Sequence, residues 1–375
     1  MVTMVRAVTL SGYFQLTRRL GVNPQALLRQ AELDASMLAN PEHRIPIATI
    51  CELLEATAQA ASCPTFGLQL AEARQELDFG VIGLMFAHKR TLREVLQAAI
   101  QYRNLLNEAL ALHVEAADDK VVIREEIVVD AAVPMRQATE LAVAVLARTC
   151  GALLGTSWHP NSVHFTHSAL ADTQFYRRLF GCPIVFASDF NGIVCTAADL
   201  DCPNPTANPE LVRYTESLLE PRNHADEHSI VLEVRKAIYL LLPLEMATIE
   251  KVAQRLHLGT RTMQRQLEAA DTSFSDLVEQ VRHNLALRYM MNARYPVGRV
   301  ALLLGYTRQA SFTRWFTAQF GKTPRAWREA QTKMTAVVAG NPRSNLRDRS
   351  TDGAKPVRRF AKAKSRAKSD DWTKR

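Results

Sequence analysis

Hydrophobic and polar positions in the last third of the chain follow the same pattern twice. The first stretch carries Val252-Ala253, Leu256-His257-Leu258-Gly259, Met263 and Leu267. The second carries Val300-Ala301, Leu304-Gly305-Tyr306-Thr307, Phe312 and Phe316. Apolar residues at i and i+4, a tight turn, then the same spacing again is the pattern of a helix-turn-helix. The turn in the second copy holds one extra residue. His257 stands where the second copy has Gly305, and histidine tolerates the positive φ of such a turn better than most residues.

Capping residues delimit these helices. Thr248 is placed to cap the first, and Gly259 or Thr260 to open the second. Ser273-Phe274-Ser275-Asp276 has the form of a capping box for a linking helix that reaches about Met291. Pro296 is expected as the first residue of the next helix, and Gly321 as a helix end. Thr323-Pro324 then starts a short closing helix containing Trp327.

The front of the chain has mixed periods. Residues 8–75 read as helices, with Pro41 to Pro46 as a loop. Gly80 to Phe86 is an apolar stretch, and Thr91 caps a helix from Leu92 to Leu106. Leu110–Val114 and Val121–Ile123 flank the polar Ala117–Lys120, which reads as a hairpin. Ala138–Leu154 is a strongly apolar helix. Val163–Phe165, Ile184–Phe186 and Ile193–Cys195 read as strands around a helix at Thr173–Phe180. Pro203, Pro205 and Pro221 are breakers around one short helix, Glu210–Leu219, and Ile230–Leu242 is an apolar helix leading into the repeated unit. The expected fold class is therefore an α+β N-terminal domain followed by an all-α domain of two helix-turn-helix units joined by a long helix.

Residues 248–329 resemble the DNA-binding domain of the AraC/XylS family of bacterial transcription regulators. The resemblance rests on Val252-Ala253, Thr262–Arg265, Val300-Ala301 with Leu304–Tyr306, Ser311–Phe316 and Phe320–Pro324. Less specifically, Phe79–Gly83, Thr91–Leu96, Phe175–Gly181, Phe186 and Asn191 resemble a sensing domain of one AraC-type subfamily, named by analogy to arabinose binding. The resemblance implies residues 1–200 as an effector-sensing and dimerisation domain, the sensor ahead of an all-α DNA-binding domain at 244–332; the breakers set 201–243 apart as linker and connecting helices, and composition marks 333–375 as a basic disordered tail.

Charge follows the same division. Residues 1–243 hold 20 Lys and Arg against 27 Asp and Glu. Residues 244–332 hold 13 against 7, and residues 341–375 hold 12 against 4. An acidic front with a basic back suits a sensor joined to a nucleic-acid-binding module. The tail has almost no apolar content, so it is expected to be disordered and is either an accessory attraction for phosphates or a solvated segment without a role. Six cysteines without a C-x-x-C pair, no signal segment and no run of roughly 18 apolar residues point to a cytoplasmic protein with reduced thiols.

The outward N-terminal half of a recognition helix faces the major groove. That places Arg261, Gln264 and Arg265 in the first unit, and Gln309, Ser311 and Arg314 in the second, as base-reading candidates. Arg pairs bidentately with guanine and Gln with adenine; the plainer alternative for each is a phosphate contact. Thr260, Thr307, Lys322, Thr323 and Arg325 stand at helix starts and are phosphate candidates. The linking helix, 18 residues at 1.5 Å each, is about 27 Å long. Major grooves on one face of straight DNA recur at about 34 Å. The DNA is therefore expected to bend when both units engage, with the first unit dominating specificity.

Other constellations are weaker. His224–His228 has the H-x-x-E-H spacing of zinc peptidases, but lies in a polar stretch with no obvious third ligand. His159, His164 and His167 read as satisfied structural histidines. Cys63-Pro64, Cys182-Pro183 and Cys202-Pro203 share a dipeptide with haem-responsive motifs, and read better as buried small residues beside turns. No catalytic residue, metal site or cofactor is expected. The expected function is a one-component regulator that binds double-stranded DNA under control of a small-molecule effector. RNA polymerase and a homodimer mate are further candidate partners. The alternatives are an enzyme in the front domain with accessory DNA binding, and a ligand-free DNA-bending architectural protein. The sequence does not indicate where an effector would bind.

Overall fold

The structure is a computed structural model and describes residues 2–75, 77–129, 133–225, 229–292 and 295–338. Strand β1 (Met4–Arg6) pairs antiparallel with β2 (Arg44–Pro46), so the expected loop at Pro41 to Pro46 contains a strand. Three residues ending in proline carry too little alternation to show this in sequence. Helices α1 (Tyr13–Arg19), α2 (Pro24–Gln30), α3 (Ala35–Ala39), α4 (Ile47–Ala60) and α5 (Phe66–Ala73) complete this segment. Helices α6 (Val81–His88), α7 (Leu92–Gln101) and α8 (Arg103–Leu106) follow; the single helix expected from Leu92 to Leu106 is broken at Tyr102.

A second sheet organises the front domain. Its strands are β3 (Leu110–Ala117), β4 (Lys120–Ile127), β5 (Ser162–Phe165), β6 (Ile184–Phe186) and β7 (Gly192–Thr196), in the spatial order β3-β4-β7-β5-β6. Only the β5–β6 pair is parallel. The hairpin turns at Asp118, whose φ is 56°, a left-handed conformation that aspartate accepts better than most residues. Helices α9 (Arg136–Leu154), α10 (Gln174–Phe180) and α11 (Ala197–Asp201) accompany the sheet. One face of the sheet is covered by α9, which also packs on α4 and α5. By length and hydropathy α9 could cross a membrane, contrary to the expectation that no run would qualify; here it is a core helix.

Helix α12 (Pro209–Ala225) is longer than the expected Glu210–Leu219 and continues through Pro221, which the sequence reading took as a breaker because an interior proline costs a helix a backbone hydrogen bond. Then come α13 (Ile230–Leu241), α14 (Ile249–Arg255), α15 (Thr260–Glu268), α16 (Phe274–Met291), α17 (Val297–Leu303), α18 (Gln309–Phe320) and α19 (Pro324–Val338). Pro296 lies one position before its helix, in an extended conformation, and α19 is a 15-residue helix rather than a short one. Helix α12 packs on α6, whereas α13 packs on α14 and α16 and also on β3 and β4. The second hydrophobic core draws Ala111 from β3 and Val128 from just past the end of β4, together with the apolar faces of α13 to α18. The five-stranded sheet therefore has a covered face on each side. The tail beyond residue 338, and Asp226–His228 of the H-x-x-E-H stretch, lie outside the described residues.

Candidate nucleic-acid interface

The first helix-turn-helix is α14 and α15. Thr248 caps α14 by accepting the Lys251 N–H at 3.3 Å. Val252, Ala253, Met263 and Leu267 are buried, which fixes the rotation of both helices. The turn closes through His257 at φ 55°. Met263 and Leu267 face inward, so Arg261, Gln264 and Arg265 are exposed together. Thr262 and Gln266 share this exposed surface, although outward spacing alone did not single them out.

The second unit is α17 and α18, and its turn passes through Gly305 at φ 74°. A Cβ at Gly305 would lie 3.1 Å from Leu242 Cδ1, so both conformation and space favour glycine. Phe312 and Phe316 are fully buried, and the Phe316 ring packs tilted against Phe320 and edge-to-face with Trp327. Gln309 and Arg314 are exposed, while Ser311 is half-buried. The Gln309 Oε1 lies 3.0 Å from the position a Cβ on Gly298 would take, so this side chain leans back on α17. Arg308, exposed as the residue before α18, is a cation that the sequence reading passed over.

The N-termini differ in a way that matters for phosphate. Helices α14 and α16 are closed by Thr248 and by a Ser273–Asp276 capping box. The two outward helices, α15 and α18, begin after Gly259 and Arg308 without a side-chain cap. Their first N–H groups keep their donor capacity, which suits an anion at the positive end of the helix dipole. Thr260 is the half-buried first residue of α15, and Thr307 is exposed two residues before α18. At α19, Thr323 Oγ1 accepts the Ala326 N–H at 3.3 Å, so this hydroxyl serves its own helix. Arg325 pairs with Glu329 at 3.2 Å, whereas Lys322 is exposed beside them. Arg261, Arg265, Arg314 and Lys322 form no ion pair among the described residues.

Two family models match the chain. The arabinose-binding N-terminal domain of AraC transcription regulators matches residues 21–204, and a helix-turn-helix domain matches residues 252–330. The HTH-type transcriptional regulator VirS of Mycobacterium tuberculosis is 29% identical over 87% of this chain and 96% of its own length. The ornithine utilization regulator of Pseudomonas aeruginosa is 25% identical, over 84% of this chain and 93% of its own length. The solved structure of the transcriptional regulator CdpR from Pseudomonas aeruginosa covers 82% of this chain and 96% of that chain, at 22% identity and a TM-score of 0.40. The chain belongs to the AraC family of transcription regulators. It is an AraC-type DNA-binding regulator with an arabinose-binding-like front domain.

In this AraC-type regulator the two domains are joined by polar contacts as well as by α13. The Arg288 Nη2 of α16 donates to both oxygens of Glu126 on β4, at 2.9 and 2.8 Å. Arg255 at the end of α14 donates to the Leu112 carbonyl and to the His113 ring, both at 2.8 Å. Burial and the Arg255 guanidinium hold His113 down to about 3, so the ring is neutral and accepts this bond. Asn292 donates to the Thr166 carbonyl at 3.1 Å, and the Tyr295 hydroxyl donates to the Ser188 carbonyl. Arg299 pairs with Asp189. None of these pairs is close in sequence, so no local pattern could have announced them.

The front domain of the regulator contains two buried polar features. Glu140 on α9 is fully buried; it accepts from Arg136 Nε at 3.0 Å and from the Tyr176 hydroxyl. Burial pushes its carboxyl up to about 7, against the pull of Arg136. His167 Nε2 lies 3.3 Å from the same carboxylate, and burial holds its ring down to about 4. His164 sits between the Ser162 and Ser188 hydroxyls, each at 2.9 Å, and stacks on Phe190. Among the described residues no three His, Cys, Asp or Glu side chains converge as metal ligands. Cys63 is buried beside its turn, but Cys182 is half-buried and Cys202 exposed, against the expectation of buried thiols at all three Cys-Pro sites. The second feature is Glu125, which lines an apolar cavity.

Proposed function

We propose that this regulator reads an operator in double-stranded DNA with the exposed faces of α15 and α18. Arg261, Gln264 and Arg265 would contact bases in one major-groove segment, and Gln309, Ser311 and Arg314 in the next. Thr260, Thr307, Lys322, Thr323 and Arg325 would contact phosphates. The observation that carries this reading is that burial of Met263 and Leu267 turns three unpaired or neutral hydrogen-bonding side chains outward on one helix that begins without a cap. Arginine and glutamine in that setting match the guanine and adenine edges of the major groove. The second unit supports the reading less strongly, since Ser311 is half-buried and Gln309 leans on Gly298.

In this reading the front domain is a sensor rather than an enzyme, working in the cytoplasm. A small effector would alter how the sheet and the DNA-binding helices are held together, and RNA polymerase and a second copy of the chain are the remaining partners. Footprinting of genomic fragments bound by the full chain, compared with Arg265→Ala, tests the proposal. Protection of two adjacent segments that is lost from one of them in the variant is the expected result. Protection without sequence preference would overturn it.

A further inference from the structure

The cavity behind β4 holds a side chain that the DNA-binding reading leaves unexplained. Its volume is about 130 Å³, and its walls include Leu54, Val95, Leu96, Leu141 and Val145 from α4, α7 and α9. An engineered apolar cavity of roughly 150 Å³ accommodates benzene, so this space suits a single ring or a short aliphatic chain. Into these walls projects Glu125, 6% exposed. Its Oε2 is buried and meets no hydrogen-bond donor among the described residues. Arg74 also lines the cavity, but its Nη atoms are committed to the carbonyls of Thr9 and Asp78, at 3.0 and 3.1 Å.

We propose that this cavity binds a small molecule with an apolar body about the size of one ring and a single amine, and that the amine pairs with Glu125. A buried carboxyl without a partner is costly, and a ligand that supplies one removes that cost. An alcohol would satisfy one lone pair, whereas an ammonium group also balances the charge of the carboxylate that forms when Glu125 gives up its proton. A carboxylate ligand would share the site with the Glu125 carboxyl, and the Arg74 guanidinium that could offset it is turned to the Thr9 and Asp78 carbonyls. Burial, with Glu126 adjacent, pushes the Glu125 carboxyl up to about 8, so it is protonated at neutral pH before binding. When an ammonium form enters, the Glu125 proton leaves to solvent and an ammonium–carboxylate pair remains. That this molecule is the effector rests on the sensor reading above. That it binds here rests on the cavity alone.

Calorimetric titration of the full chain with benzylamine, benzyl alcohol and benzoate tests the site. Benzylamine is expected to bind at least tenfold more tightly than the other two, and Glu125→Gln is expected to abolish that preference. Ala142→Phe, which fills the cavity from α9, should abolish binding of all three; thermal melts show whether each variant folds. Should Glu125→Gln fail to fold, the ligand series and Ala142→Phe decide the matter. Equal affinities, a preference for benzoate, an unchanged preference in a folded Glu125→Gln variant, or no binding would each overturn the proposal. Gel shifts with and without benzylamine separate the two claims: binding without a change in DNA affinity would remove the effector role and leave the site standing.

Discussion

Glu125 and Glu126 are adjacent on β4, and their carboxyl groups lie on opposite faces of one sheet. Glu125 pairs across the hairpin with Leu112 and lines the cavity of the front domain, whereas Glu126 pairs with Ala111 and grips Arg288 of the linking helix. Side chains alternate along a strand, so two consecutive acids must serve two compartments. Any shift of β4 that accommodates a ligand at the first is felt at the second.

The contact between Glu126 and Arg288 should be energetically coupled. Each side chain is mostly buried, at 10% and 24% exposure, so removing either partner leaves the other poorly solvated. A thermal-unfolding cycle of Glu126→Gln, Arg288→Gln and the double variant should return a coupling of about 0.5–3 kcal/mol. Additive single effects would show that the pair does not hold the domains together.

Acid–base behaviour offers a second check on Glu125. Its folded carboxyl titrates near 8, above the roughly 4.3 of a free glutamate, so the folded state retains a proton that the unfolded state gives up. Stability should therefore decline as pH rises from about 4 to about 8 and then level off. Glu125→Gln removes this slope, whereas Glu140, raised to about 7 by burial, keeps its own in both proteins. At pH 9 the variant should be the more stable by about 1–3 kcal/mol in urea unfolding. A wild type that is equally stable or more so would contradict the buried, unpartnered carboxyl.

Base reading is expected to be position-specific. Arg265→Ala or Arg314→Ala should cost about 1–3 kcal/mol and relax selection at particular base pairs in a binding-site library. If a variant weakens on every sequence alike, its arginine touches phosphate only.

Lys322 should behave differently. Lys322→Ala is expected to weaken all DNA to a similar extent and to lower the slope of log affinity against log salt by about 1. An unchanged slope rejects the contact.

Bending follows from the length of α16. Its 18 residues span about 27 Å, short of the roughly 34 Å between successive major grooves on one face of straight DNA. Circularly permuted operator fragments should migrate anomalously when bound, and a bend costing on the order of 1–6 kcal/mol must be offset by contacts. Unbent DNA with both segments protected would refute the geometry.

What could be read from sequence was local. Met263, Leu267, Phe312 and Phe316 revealed their inward direction through i, i+4 spacing, and Thr248 and Ser273 marked helix starts by chemistry that acts within three residues. The strand at Arg44–Pro46 was missed because three residues carry no period. The union of Arg288 with Glu126, 162 positions apart, was invisible for a different reason: only the completed fold brings them together. Glu125 could have been found. In Val121–Val129 it occupies the inward parity shared with Val121, Ile123 and Ile127, where a charged residue breaks the alternation.

Helix α13 has a practical consequence for anyone cutting or grafting this protein. Val234, Ile238 and Leu241 are buried within the same core as Val252, Leu285 and Leu304. A chimera that transplants only residues 244–332 onto a foreign receptor would leave that core uncovered along one side, and the graft would tend to aggregate. The splice point that keeps the core closed lies before Ile230, and even there the donor forfeits Ala111 and Val128, which its native front domain contributes.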